Sequence, residues 1–236
     1  MTLRAALVLL LALAFAISPL FSDFSGFDPA LYPVPQEDPP VQPAGIAFSI
    51  WSLIYLWLVI HGAFGLWRRR EDPVWDAVRW PLIGSLAVGV PWLAVAGASA
   101  IWATAMIWAM LVLAVWALMR ADRRDRWLLA PPIAIYAGWL TAASCVSVGL
   151  MLAGWGVTSE TVAAWIGLAL ALTVAGLVQT AKPWAWEYGA AVVWALFWVV
   201  VKNAAGPLSV AVVAGLGALA VVALAWSTSR RAARTA

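Results

Sequence analysis

Eight aromatic residues with a polar edge lie inside long apolar runs: Trp51, Tyr55, Trp92, Trp108, Tyr136, Trp139, Trp194 and Trp198. Six of them are paired by spacing. Trp51 and Tyr55 stand four apart, Tyr136 and Trp139 three apart, and Trp194 and Trp198 four apart. Each pair therefore shares one face of a helix. A buried indole N–H or phenol needs a hydrogen-bond partner, and paired rings on facing helices make a flat-walled slot. Such a slot suits a large planar apolar ligand with few polar groups. The competing reading is that the rings fill a core or face lipid, and spacing alone leaves both open.

Other chemistry is sparse. Charged groups are expected outside the apolar runs, with all 11 carboxylates in loops or at helix edges. Intramembrane ionisable residues mark proton relays, ion paths and voltage sensors, so a proton-coupled pump or an ion channel is disfavoured. A hydrolase needs a base in reach of its nucleophile, and the one histidine is His61. His61 reads either as a satisfied interfacial residue or as a ligand contact. The lone Cys145 forms no internal disulfide and reads as a small packing residue. No cluster of metal-ligand type is present.

The elements that must position the aromatics are membrane helices. The chain of 236 residues is 65% hydrophobic and 11% charged, against about 25% charged in soluble domains. A bilayer span takes about 20 mostly apolar residues. Eight candidates follow: Ala5–Phe21, Ala44–Trp67, Pro81–Ala98, Ala100–Met119, Pro131–Ala153, Thr161–Thr180, Tyr188–Val201 and Pro207–Trp226. The fold class is thus an all-α integral membrane bundle of about eight helices. Pro81, Pro131 and Pro207 stand where helices begin, and Ser159 is an N-cap candidate. Trp67, Trp80, Trp127, Trp155, Trp184, Trp186 and Trp226 fall at helix ends, where indoles suit the headgroup layer.

Charge supports the count. Arg4, Arg68, Arg69, Arg70, Arg79, Arg120, Arg123, Arg124, Arg126, Lys182, Arg230, Arg231 and Arg234 fall on one side, and only Lys202 falls opposite. Cytoplasmic loops carry the Lys/Arg excess, so both termini are expected in the cytoplasm, with no nucleic-acid-binding face. The first segment reads as a retained helix, with a cleaved signal peptide as the alternative. The stretch Ser22–Pro43 holds Asp23, Asp28, Glu37 and Asp38, no base and many prolines. It faces outward, either as a solvated extended linker or as a lid over the bundle. Ala211, Gly215 and Ala218 form a small-residue face for an internal contact or a homodimer.

Two segments resemble a known family. Pro43-Ala44-Gly45-Ile46-Ala47-Phe48-Ser49-Ile50-Trp51-Ser52-Leu53-Ile54-Tyr55 resembles the second helix of the TspO/MBR family, the translocator or tryptophan-rich sensory proteins. That helix shows a Pro, a Phe and then Trp-x-x-x-Tyr. Tyr136-Ala137-Gly138-Trp139-Leu140-Thr141-Ala142-Ala143 resembles its fifth-helix motif, and Trp92 matches its third-helix Trp. The resemblance is to the longer, Trp-rich members. It covers roughly residues 1–155, a five-helix core with the outward loop 22–43, and leaves 156–236 as three additional helices with a basic tail.

The resemblance implies a pocket for a porphyrin, a haem-like tetrapyrrole or a sterol-like molecule. It is lined by Trp51, Tyr55, Trp92, Tyr136 and Trp139. Three departures stand out. Gly89 and Ser147 stand where the family often has Asn, and Phe48 lies one residue nearer Trp51 than in short members. The expected function is a membrane-embedded binding or sensory protein for a planar hydrophobic ligand, with no catalytic residue assigned and no cofactor required. The alternatives are a facilitator for an apolar or amphipathic solute and, by resemblance, light-driven porphyrin breakdown. The expected setting is a bacterial cytoplasmic membrane, with lipid and a small hydrophobic ligand as partners.

Overall fold

The computed structural model describes residues 1–22 and 28–234, without the side chains of 231–234. Asp23 and the side chains of Arg231 and Arg234 therefore lie outside the described residues. Among the described residues the chain is all-helical, without strands. The helices are α1 (Thr2–Ile17), α2 (Ile50–Arg68), α3 (Pro73–Gly89), α4 (Trp92–Ala96), α5 (Ala100–Arg120), α6 (Ala130–Gly154), α7 (Glu160–Ala181), α8 (Trp186–Asn203) and α9 (Leu208–Arg234). Six helical stretches among these residues are long and apolar enough to cross a membrane: those built on α1, α2, α5, α6, α7 and α9.

The third expected span differs from its sequence reading. Pro81 does not open it but lies inside α3. The start is eight residues earlier, where the Asp72 side chain accepts from the amides of Val74 and Trp75 and Pro73 takes the first helical position. Both are strong N-terminal signals. The helix therefore carries Asp76 and Arg79 in its first two turns, ahead of the apolar run that begins at Pro81. Arg79 is only 2% exposed. It donates to the carbonyls of Arg69 at 2.7 Å and Arg70 at 2.8 Å and pairs with Asp76 at 3.1 Å. Burial is tolerated because the guanidinium's donors are met. The helix stops at Gly89, just before Pro91, and the chain resumes as the short α4. Proline has no N–H to continue the ladder.

The chain divides into two compact units: the first holds residues 1–22 and Ser49–Ala137, the second residues 28–48 and the chain from Gly138 on, so the division also cuts α6. In the first unit α1 packs on α2 and α3, and α5 packs on α3 and α4. Gly62 permits the first of these contacts. A Cβ there would stand 2.9 Å from the Leu9 backbone, so the helices meet main chain to main chain. One edge of this unit is laced by charge. Arg69 grips Asp125 through Nε at 2.9 Å and Nη2 at 3.0 Å, and Trp75 Nε1 donates to the same carboxylate at 2.8 Å. His61 is 1% exposed, stacks on Trp75 and sets Nδ1 2.7 Å from the Leu128 carbonyl. A carbonyl only accepts, so Nδ1 carries the proton and His61 is a satisfied residue at that nitrogen.

In the second unit α9 packs on α8 and α7, and α7 packs on α8. Gly138 brings α6 against the Tyr188 carbonyl of α8, and the hydroxyls of Thr141 and Tyr188 pair at 2.8 Å. The small-residue face of α9 is used internally at Gly215, where a Cβ would meet Val200 of α8 at 3.7 Å. Several expected interfacial indoles are well exposed, including Trp67, Trp80, Trp127 and Trp226. Each carries a guanidinium over its ring, from Arg68, Arg4, Arg126 and Arg230 respectively. An exposed indole beside a base is the arrangement expected at a headgroup layer.

Candidate functional site

Three of the five expected pocket residues meet in the first unit. Trp51 and Tyr55 project from one face of α2 and stack, with centroids 5.2 Å apart and planes 18° apart. Tyr136, from the first turns of α6, faces Trp51 with centroids 6.4 Å apart. Its hydroxyl lies 3.0 Å from Ser85 Oγ of α3, and that serine donates onward to the Met110 carbonyl of α5 at 2.8 Å. Thus one buried phenol is oriented by a two-step hydrogen-bond chain, as burial of a phenol requires. Trp51 and Tyr55 are half-buried, whereas Tyr136 is buried.

The centre of this cluster is occupied by Phe15 of α1. Its ring meets Trp51 at 5.6 Å, Tyr55 at 5.1 Å and Tyr136 at 5.9 Å, edge-on in each case. Edge-to-face is the favoured arrangement for ring quadrupoles. No motif marked Phe15, which is one apolar residue among many in the first helix. Ser85 was equally silent, because a lone serine in an apolar run carries no spacing signal.

Trp92 lies on α4, 8% exposed, and its indole nitrogen donates to the Ala103 carbonyl of α5 at 2.9 Å. That bond ties α4 to α5 and accounts for the polar edge of this indole. Trp139 belongs to the second unit, where Phe48 meets it edge-on at 5.6 Å. Ser147 donates to the Ser144 carbonyl of its own helix at 2.7 Å, which engages its one proton and leaves its oxygen only as an acceptor. The second unit also holds a cavity of about 20 Å³, lined by Val41, Pro43, Cys145, Gly167, Ala171 and Ala195 among others. That is room for about one water, far below the ~300 Å³ of a small ligand site.

From Asp28 on, the proline-rich stretch is neither loose nor detached. Tyr32, Gln36 and Val41 are buried, and the amide of Val34 donates to the Gly154 carbonyl at 2.8 Å. Pro39 and Pro40 have no N–H and offer only carbonyls. Donors come from the end of α8. Lys202 Nζ reaches the Pro39 carbonyl at 3.0 Å and Asp38 at 2.7 Å, and Asn203 Nδ2 reaches the Pro40 carbonyl at 2.9 Å. The Ala44 amide donates to the Trp198 carbonyl at 3.2 Å, and Trp194 Nε1 donates to the Ala47 carbonyl at 2.9 Å. Trp194 through its indole and Trp198 through its main-chain carbonyl thus moor the loop. The sequence set Lys202 apart as the one base on the side of the acidic loop, but no spacing linked it to Pro39.

Comparison with known proteins gives one family. The family model described as TSPO-like protein matches residues 34–227. The match starts after α1 and runs through α2 to most of α9, so it takes in the helices beyond α6. No curated protein and no solved structure matches the chain. With that match over most of its length, and with six helices long and apolar enough to cross a bilayer, the chain is a multi-pass integral membrane protein of the TSPO-like family.

Proposed function

We propose that this protein is a membrane-embedded binding or sensory protein for a planar hydrophobic ligand of porphyrin or sterol-like type, recognised at the aromatic cluster of the first unit. One observation carries the reading. The stacked pair Trp51 and Tyr55 makes a two-ring wall, half-buried, beside a Tyr136 already oriented by Ser85. A flat apolar wall with few polar groups matches a flat apolar ligand. Family membership supports the same class. On this reading α3 with α4, and α8, add two spans to the six, giving eight, and both termini lie on the basic, cytoplasmic side. α8 has 18 residues, about 27 Å at the helical rise, which nearly spans the ~30 Å hydrocarbon layer.

The test is quenching of tryptophan fluorescence by protoporphyrin IX in detergent. The midpoint is read rather than the amplitude, because most of the 18 tryptophans remain in any variant. Wild type is expected to saturate. Trp51→Ala is expected to bind about tenfold more weakly, since the loss of a stacked ring and its buried face costs about 1.4 kcal/mol or more. Equal midpoints in the two proteins would refute the assignment.

A further inference from the structure

Phe15 sits where the proposed ligand wall is at its most enclosed. Phe15 is 2% exposed and its ring has three aromatic neighbours: Trp51, Tyr55 and Tyr136. On another side stands bare main chain. A Cβ at Gly89 would come within 3.0 Å of Phe15 Cε2 and 3.2 Å of Cζ, and within 3.1 Å of Met110 Cε. Any residue larger than glycine at position 89 would press on the ring. The Tyr136 hydroxyl is engaged by Ser85, so the contacts that fix the Phe15 ring include three aromatic rings and, at Gly89, a position without a side chain. The space is therefore shaped for a single six-membered ring.

We infer that Phe15 is a built-in occupant of a one-ring compartment, and that an external ligand gains the compartment only by displacing it. This rests on the reading of the aromatic cluster as the ligand site and adds the rule of access. The occupying group comes from the protein's own first helix, so a ligand must present one flat ring or lobe of phenyl size to replace it. The fraction of molecules with Phe15 swung out then scales the apparent affinity. The first helix becomes part of the recognition machinery, although it lies outside the span that matches the family.

Two probes separate this inference from the reading beneath it. Benzene tests the compartment directly, because truncating a buried ring leaves a dry apolar cavity that takes an apolar ring. Saturating benzene is expected to raise the thermal midpoint of Phe15→Ala but not that of wild type. Phe197→Ala, which removes a ring that is 50% exposed, is expected to show no such gain and controls for benzene in the micelle. Phe15→Leu, a milder truncation, serves if the alanine variant does not fold, with a smaller gain. Protoporphyrin tests the competition, with at least tenfold tighter binding expected in the Phe15 variant than in wild type. No benzene response in either Phe15 variant overturns the compartment. Equal protoporphyrin affinity in wild type and variant overturns the competition and leaves the ligand site standing. Absent protoporphyrin binding in both, with a benzene response, removes the porphyrin reading and retains the compartment.

Discussion

Asp125 stands in the left-handed backbone region at φ 46° and receives both Arg69 and the Trp75 indole. The Arg69 guanidinium holds its carboxyl below the usual range, against the opposing effect of burial, and the Trp75 bond adds to the lowering. A carboxylate with a depressed folded value stabilises the protein above its unfolded value, near pH 4. That stability is lost as pH falls through the folded value. Asp125→Ala is expected to lower stability by about 1–2 kcal/mol at neutral pH, through lost hydrogen bonds and a left-handed alanine. Asp125→Asn, which tolerates that backbone region, should lose less. Wild type should weaken below about pH 4, whereas both variants should lose that part of the acid sensitivity. Denaturation midpoints across pH 3–7 in one detergent check both statements, and an unchanged acid profile in Asp125→Ala contradicts them. None of this was legible in the sequence, where Asp125 is one charge in the run Asp122 to Arg126. Trp51 and Tyr55 were legible, because a four-residue spacing places two rings on one helical face whatever surrounds the helix.

Between helices, the stretch after α1 behaves as a moored strap. Proline content pointed to extended chain, and that much follows from a residue type without an N–H. The mooring was hidden because its donors, Lys202 and Asn203, lie more than 160 residues away. The mooring also gives α8 a specific task. Removing either donor leaves a carbonyl of the Pro39–Pro40 pair without its side-chain partner. Each such loss is worth about 1–2 kcal/mol of local stability, or about tenfold in opening. Lys202→Ala combined with Asn203→Ala is therefore expected to speed amide exchange at Val41, Gln42 and Ala44 by tenfold or more. Protease added outside sealed vesicles should then cut the strap in the variant and spare wild type. Unchanged exchange, or cutting only from the inner side, would contradict the mooring or its sidedness. The shift of the α3 start from Pro81 to Pro73 has a related cause. Hydropathy reads the apolar run, while the helix is set by the Asp72 cap, which precedes that run.

Over the whole molecule, hydropathy gave the class and most element positions, because a membrane helix must meet its backbone bonds internally and look apolar outside. Among the described residues six stretches satisfy length and composition outright. The rest fall short for visible reasons: α3 is interrupted near Pro91 and carries Asp76 and Arg79, and α8 is short with Glu187 and Lys202 at its ends. Of the five residues expected to line a pocket, the structure brings only some together. Trp51, Tyr55 and Tyr136 come together, Trp92 bonds to α5, and Trp139 packs with Phe48 in the second unit. Spacing shows which residues share a helix face but not which helix that face meets. Ligand binding at the aromatic wall should register in global stability, because a ligand that binds only the folded state stabilises it by mass action. At about 100 times the dissociation constant that gain is about 2.7 kcal/mol, or about 5 °C or more for a chain of this size. The direct measurement is the thermal-unfolding midpoint of the purified protein in detergent, with and without protoporphyrin IX, for wild type and Trp51→Ala. The account predicts a rise of that size in wild type and a clearly smaller one in the variant at the same ligand concentration. No rise in wild type, or equal rises in both, would contradict it.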